Sequence, residues 1–199
     1  MRRTAIDKVR VSARVPVGEL GLEGDERADT RYHGGPDKAV YAFAREDLDH
    51  WERALGRSLH NGQFGENLTT FGIDVNQARI GERWRVGGAL LEVCSVRIPC
   101  RVFAAWLQET GWVWRFTEEG RPGPYLRVLE PGAVAAGDAV EVVHRPAHDV
   151  TVTTVFRALT TRSELLPSLL DLPGLEHDLV RRARRKLRTG AGVDTVPSG

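Results

Sequence analysis

A cysteine set between two arginines is the residue with most chemistry in this sequence. In Arg97-Ile98-Pro99-Cys100-Arg101 the thiol follows a proline, which is tolerated in the first turn of a helix. A helix start and neighbouring cations favour thiolate over thiol, and a thiolate is a nucleophile or a soft metal ligand. The same pattern suits a small buried apolar side chain, so both readings stand here. Cys94 lies in the apolar run ALLEVC and reads as core. A zinc site is not suggested, because the two cysteines form no CxxC pair and HExxH is absent.

Two further segments have site-like chemistry. In RYHGGPDKAV, residues 31–40, Gly34 and Gly35 let backbone N–H groups approach a ligand, while Arg31, His33 and Lys38 add positive charge. That composition suits an anion such as phosphate, and it equally suits a polar turn. In FGENL, residues 64–68, Asn67 could hydrogen-bond a heterocycle or the backbone. Glu66 could act as a general acid or base, or brace the turn. GxSxG, a Walker loop and a dinucleotide fingerprint are all missing, and GLEGDERAD lacks the strand–turn–helix setting such a fingerprint needs.

These segments need a scaffold, and the patterning predicts mainly β structure with short helices inserted. Alternation of Val9, Val11, Ala13, Val15 and Val17 predicts a strand over 8–17. Further strands are expected at 38–43, 124–129 and 138–144, with a hairpin of 80–86 and 89–94 about Gly87-Gly88. A helix is expected at 45–55, with Leu48, Trp51 and Leu55 on one face and Gly56 as its stop. Another starts at Pro99, with Val102, Phe103, Trp106 and Leu107 as its apolar face. Many short strands punctuated by Gly and Pro favour a barrel or sandwich over a parallel doubly wound sheet. After Pro146 the glycines thin out and leucine pairs appear at helical spacing, with Pro167 and Pro173-Gly174 delimiting two or three short helices. The expected division is a barrel over 1–146, a small helical domain over 147–188 and a flexible tail over 189–199. Trp112 and Trp114 are expected to pack in the core rather than to stack on a purine.

Composition bounds the function. The chain has 199 residues, 41% hydrophobic and 28% charged, with a net charge of +1. That excludes disorder for the bulk and argues against a generic nucleic-acid binder. Two cysteines in a chain of this length exclude a disulfide scaffold. No signal-peptide pattern opens the chain and no apolar run approaches a membrane span, so a cytoplasmic protein is expected. The basic residues are 25 Arg and three Lys, so a single Arg carries little information and Lys38 slightly more. HDLVRRARRKLR, residues 177–188, holds six positive charges and one negative, and is read as the solvated face of an amphipathic helix rather than a nucleic-acid contact.

In their order, GLEGDERAD (21–29), HGGPDKAVYAF (33–43), FGENLTT (64–70), IGERWRVG (80–87), RIPC (97–100) and YLRVLEPG (125–132) resemble the MOSC family. The family is named for the C-terminal domain of molybdenum cofactor sulfurases. The match runs from Ile6 to His144, and the stretch from His148 to Leu187 resembles the three-helix domain of the bacterial stand-alone YiiM-type branch. The resemblance implies a MOSC-type β-barrel that binds a molybdenum cofactor, a molybdopterin. It implies Cys100 as the thiolate on molybdenum, and Arg31, His33, Gly34, Gly35, Lys38, Asn67 and Arg97 as cofactor-binding. It also implies reduction of N-hydroxylated compounds such as 6-N-hydroxylaminopurine to amines. No flavin, iron–sulfur or pyridoxal phosphate segment is recognised, so the electrons are expected from a separate protein. Two alternatives are a sulfur carrier with a Cys100 persulfide, and a cofactor-binding module without turnover. Relatives often carry Pro where this chain has Val96, and Gly-Trp-Tyr where it has Gly123-Pro124-Tyr125. They usually have an additional strand and loop before the segment matching AIDK (5–8), so either a shortened chain, lacking that strand, or a misassigned start is expected.

Overall fold

Residues Ala89–Val96 carry six apolar side chains in eight, and every one of the eight is buried. A strand covered on both faces reads as such a continuous run. It lies inside the larger of two sheets in the computed structural model, which describes residues 6–25 and 35–190. In chain order the strands are β1 (Val15–Gly18), β2 (Gly21–Leu22), β3 (Val40–Ala44), β4 (Leu68–Thr70), β5 (Arg83–Val86), β6 (Ala89–Val96), β7 (Pro124–Glu130), β8 (Gly132–Val134) and β9 (Val140–His144). The helices are α1 (Arg45–Leu55), α2 (Arg101–Leu107), α3 (Trp112–Glu119), α4 (Val152–Thr160) and α5 (His177–Thr189), with 3-10 turns at Pro36–Lys38 and Ser163–Leu169.

The larger sheet runs β4-β3-β7-β6-β5-β9, and the smaller runs β2-β1-β8. Within the larger sheet β3 and β4 are parallel and the other pairs antiparallel. The strands curl into a half-barrel with helices packed on it, in agreement with the MOSC-type barrel and helical appendage expected from sequence. The β5–β6 hairpin turns at Gly87-Gly88, where Gly87 has φ 52°. Gly132 lies against that turn so closely that a Cβ there would stand 2.2 Å from the Gly88 carbonyl carbon. Only glycine permits that approach between the two sheets.

α1 occupies the expected span and stops at Gly56 with φ 66°. Leu48 and Trp51 are buried. Trp51 meets Trp112 at 4.6 Å between ring centroids, Phe64 meets Phe103 at 5.1 Å, and Phe103 meets Phe116 at 5.4 Å. This aromatic cluster joins α1, the 60–67 loop, α2 and α3 into one wall. It continues into α4 through the edge-on contact of Phe116 and Phe156.

Four expectations are corrected. The strand over 8–17 shrinks to β1, and Val9 and Val11 are 82% and 53% exposed. Their alternation has no paired strand to bury one face against. Val102 turns out of the α2 apolar face and is 54% exposed, and Trp114 is 62% exposed where core packing was expected. Trp114 belongs to a helix, α3, that the patterning did not reveal. Pro167 lies inside the second 3-10 turn rather than at a helix boundary.

Packing crosses the division expected at 146/147. Ile80, Val152 and Thr153 donate backbone hydrogen bonds to Val150, Ala78 and Asn76. Val155, Phe156, Leu166, Leu169 and Leu179 belong to the same buried cluster as the strands. Among the described residues no helix is long and apolar enough to cross a membrane.

Candidate functional site

Beyond the end of β6 the chain runs through a buried Pro99 to Cys100, which takes the extended conformation before α2. Cys100 is a free thiol, part-exposed, and its side chain forms no cap on that helix. Cys94 is also a free thiol, but its setting differs. It is fully buried within β6, and its S–H lies 3.2 Å from the Asp37 carbonyl oxygen. Burial pushes its pKa up to about 12, with the Arg127 charge only partly offsetting this.

Arg97 is the cation at the thiol. Its guanidinium carbon lies 4.5 Å from the centre of the Phe103 ring and 5.1 Å from that of Tyr41, and Nη1 donates to the Tyr125 hydroxyl at 3.1 Å. Burial works against its charge, but Tyr125, Tyr41 and Cys100 outweigh that and hold its pKa above the ordinary arginine value. Aromatic faces and a phenol oxygen thus stabilise a charge that water serves poorly.

Tyr41 also connects to Asn67. Its N–H donates to Asn67 Oδ1 at 2.9 Å, and its carbonyl accepts from the Asn67 N–H at 2.8 Å. Asn67 Nδ2 donates to Asp25 at 2.7 Å, and Asp25 is paired with Lys8. The Asn67 amide is therefore bound to protein on both sides. Glu66 is 2% exposed and accepts from the Gly62 N–H at 2.5 Å, the Phe64 N–H at 3.0 Å and the Thr69 hydroxyl at 2.9 Å. Burial raises its pKa despite those bonds. Of the two readings open for Glu66, the geometry favours the loop brace.

Lys38 ends the 3-10 turn that Pro36 starts, and Gly35 precedes it with φ 101° and open space where a Cβ would stand. The Lys38 amine lies 3.0 Å from Glu176 Oε1, and the Ser95 hydroxyl donates to the other carboxylate oxygen. Ser95 pairs across the sheet with Tyr125, and Tyr125 with Tyr41. The described candidates gather at one end of β3, β7 and β6: Asn67 is bonded to Tyr41, Arg97 lies over the Tyr41 ring and interacts electrostatically with Cys100, and Lys38 reaches Ser95 through Glu176. Arg31, His33 and Gly34 lie outside the described residues.

Sequence patterning missed Tyr41, Tyr125, Ser95 and Glu176. The tyrosines sat within strand runs that signal no site role, and Glu176 sat in a turn 81 residues from Ser95, where no local spacing signals contact. His144 and His148 stand four apart, yet no group of three metal-capable side chains occurs among the described residues. Two cavities, of about 470 and 430 Å³, lie elsewhere, beside Asp74 and Gln77, and neither is lined by Cys100, Arg97 or Lys38. The thiol–arginine end of the sheet is the better candidate, because it combines a part-exposed thiol with a cation held between aromatic rings.

The MOSC domain family matches residues 29–141. Protein YiiM of Escherichia coli (strain K12) is 35% identical over 152 residues, which cover 75% of this chain and 67% of that protein. A reductase of Gibberella moniliformis is 30% identical over 177 residues, 85% of this chain but 31% of its own length. The crystal structure of YiiM from Escherichia coli superposes with a TM-score of 0.80 at 28% identity, covering 94% of this chain and 91% of that one. By the extent of these matches, the chain belongs to the MOSC domain family, beside its YiiM-type members.

Proposed function

We propose that this MOSC-domain chain is an oxidoreductase. It carries a molybdenum cofactor on Cys100 and reduces N-hydroxylated compounds, 6-N-hydroxylaminopurine among them, to amines. The electrons come from a separate redox protein. The observation that carries this reading is the contrast between the thiols: Cys94 is buried with its pKa pushed to about 12, whereas Cys100 is part-exposed and interacts with the Arg97 charge. The MOSC family match and the similarity to a reductase agree with it.

The residues present fit such a group. A soft thiolate suits molybdenum, and among the described residues nothing lies within 4 Å of where a Gly35 Cβ would stand, beside the Lys38 turn. When bound, the cofactor supplies the two-electron chemistry that removes the N–O oxygen as water. The chain supplies the rest. Cys100 offers the ligand sulfur, and Arg97 keeps a fixed positive charge beside it. Phe103 and Tyr41 hold Arg97 in place and shield it from water. Asn67 ties the 64–68 loop to Tyr41 and so fixes the ring beneath Arg97. Lys38 is the cation for the phosphate, with Arg31, His33 and Gly34 from the same loop.

The test is metal content and turnover together. The chain is purified from a host that makes the cofactor, and 6-hydroxylaminopurine reduction is driven by a chemical reductant. Cys100→Ser is expected to lose both molybdenum and at least about tenfold in rate. Full metal and full rate in that variant would overturn the assignment. Metal without turnover of any hydroxylamine would make the chain a binding module, and a Cys100 persulfide without molybdenum would make it a sulfur carrier.

A further inference from the structure

A carboxylate already holds the cation that the phosphate would use. Glu176, at the start of α5, is 5% exposed. Its two oxygens are taken by Lys38 and Ser95, and its N–H donates to the Cys94 carbonyl at 2.8 Å. The Lys38 turn is fastened a second time through Asp37, whose carboxylate lies 2.9 Å from Arg127 Nε. Arg127 in turn donates to the Gly174 carbonyl at 2.9 Å. The 174–176 segment therefore clamps the turn from Pro36 to Lys38 onto β6 and β7.

A paired and largely covered lysine attracts a second anion weakly, since its partner must first give way. We infer that Glu176 is a resident counter-anion for Lys38, displaced when a phosphate group binds at the Gly35–Lys38 turn, so that ligand binding and docking of the α5 start oppose each other. This rests on Lys38 facing phosphate, as proposed for the site. A phosphate group carrying about two negative charges outcompetes one carboxylate for the amine. Ser95 and water then take the released Glu176. By reciprocity the ligand loosens the α5 start by the same factor as the docked Glu176 weakens the ligand. A merely structural carboxylate has the opposite signature: its removal misplaces Lys38 and weakens binding.

The apo full-length chain is titrated calorimetrically with inorganic pyrophosphate, as wild type, E176Q, K38M and the double variant. E176Q is expected to bind roughly tenfold tighter, because the competent state no longer has to be uncovered. K38M is expected to lose binding, and the double variant to bind no better than K38M. If K38M is weakened but E176Q binds no tighter than wild type, the counter-anion role is overturned and the Lys38 reading survives. If K38M binds like wild type, or no form binds at all, both are overturned. Hydrogen exchange on the wild type needs no variant to fold. Saturating pyrophosphate should speed exchange at the amides of Glu176, Leu179 and Val180, which the clamp now protects. Unchanged or slower exchange there would overturn the coupling by itself.

Discussion

Cys94 and Cys100 lie six residues apart, and burial is the first difference between their chemistry. A thiol titrating near 12 is, at pH 8, roughly one part in ten thousand thiolate. Cys94 should therefore resist iodoacetamide in the folded chain and react only on unfolding, whereas Cys100 should react in the folded state. Mass spectrometry of the modified peptides counts both, and labelling of Cys94 at the same rate as Cys100 would contradict the burial. This division was legible in the sequence, because Cys94 sits in a continuous apolar run and Cys100 beyond a proline. The partner of Lys38 was not legible: nothing near Glu176 in sequence points to Lys38 or Ser95, and only the fold brings them together. The ring cage about Arg97 was hidden in the same way, since Tyr41, Phe103 and Tyr125 come from three separate elements.

The 60–67 loop shows how one carboxylate organises a segment that has no regular structure. Glu66 satisfies two backbone N–H groups and one hydroxyl, and its raised pKa shows that burial outweighs those bonds for the charged form. Glu66→Gln keeps the shape but points an amide donor where a carboxylate oxygen accepted, and is expected to cost about 2 kcal/mol. The pH dependence has a definite sign. A carboxyl whose folded pKa is raised binds more protons folded than unfolded, so it favours the fold progressively as pH falls through the folded value towards the ordinary one. Wild type should therefore gain stability relative to Glu66→Gln in urea melts as the pH is lowered from neutral towards the ordinary carboxylate range, and an unchanging difference would contradict it. At this scale α1 and the β5–β6 hairpin were legible from glycine stops and apolar spacing. α3 was not, because WVWRFTEE mixes tryptophans that end on opposite sides: Trp112 in the core and Trp114 in water. The alternation near Val9 misled because alternation without a neighbouring strand buries nothing.

The whole molecule shares one core across the change from strands to helices. Val152, Val155, Phe156, Leu159, Leu166, Leu169 and Leu179 are buried with the residues of β3 and β6. Each such side chain is worth about 1.5–3 kcal/mol on burial, and their sum exceeds the stability of most domains. A chain ending at Pro146 should therefore show no cooperative thermal transition and should bind a hydrophobic dye, whereas the full chain should melt in a single calorimetric step. A cooperative melt of the shortened chain would mean that the strands hold a sufficient core without the helices. The strand-rich half and helical end were legible from composition, but their mutual packing was not, since patterning reports which face is apolar and not what covers it. The fully buried β6 also has a consequence for synthesis. Its cover includes α4, and its Cys94 carbonyl is bonded by Glu176 just before α5, so an apolar strand leaves the ribosome roughly 80 residues ahead of its last partner. At about 5–20 residues per second, that strand waits several seconds with a face uncovered, an interval in which a nascent-chain chaperone has a sticky segment to hold.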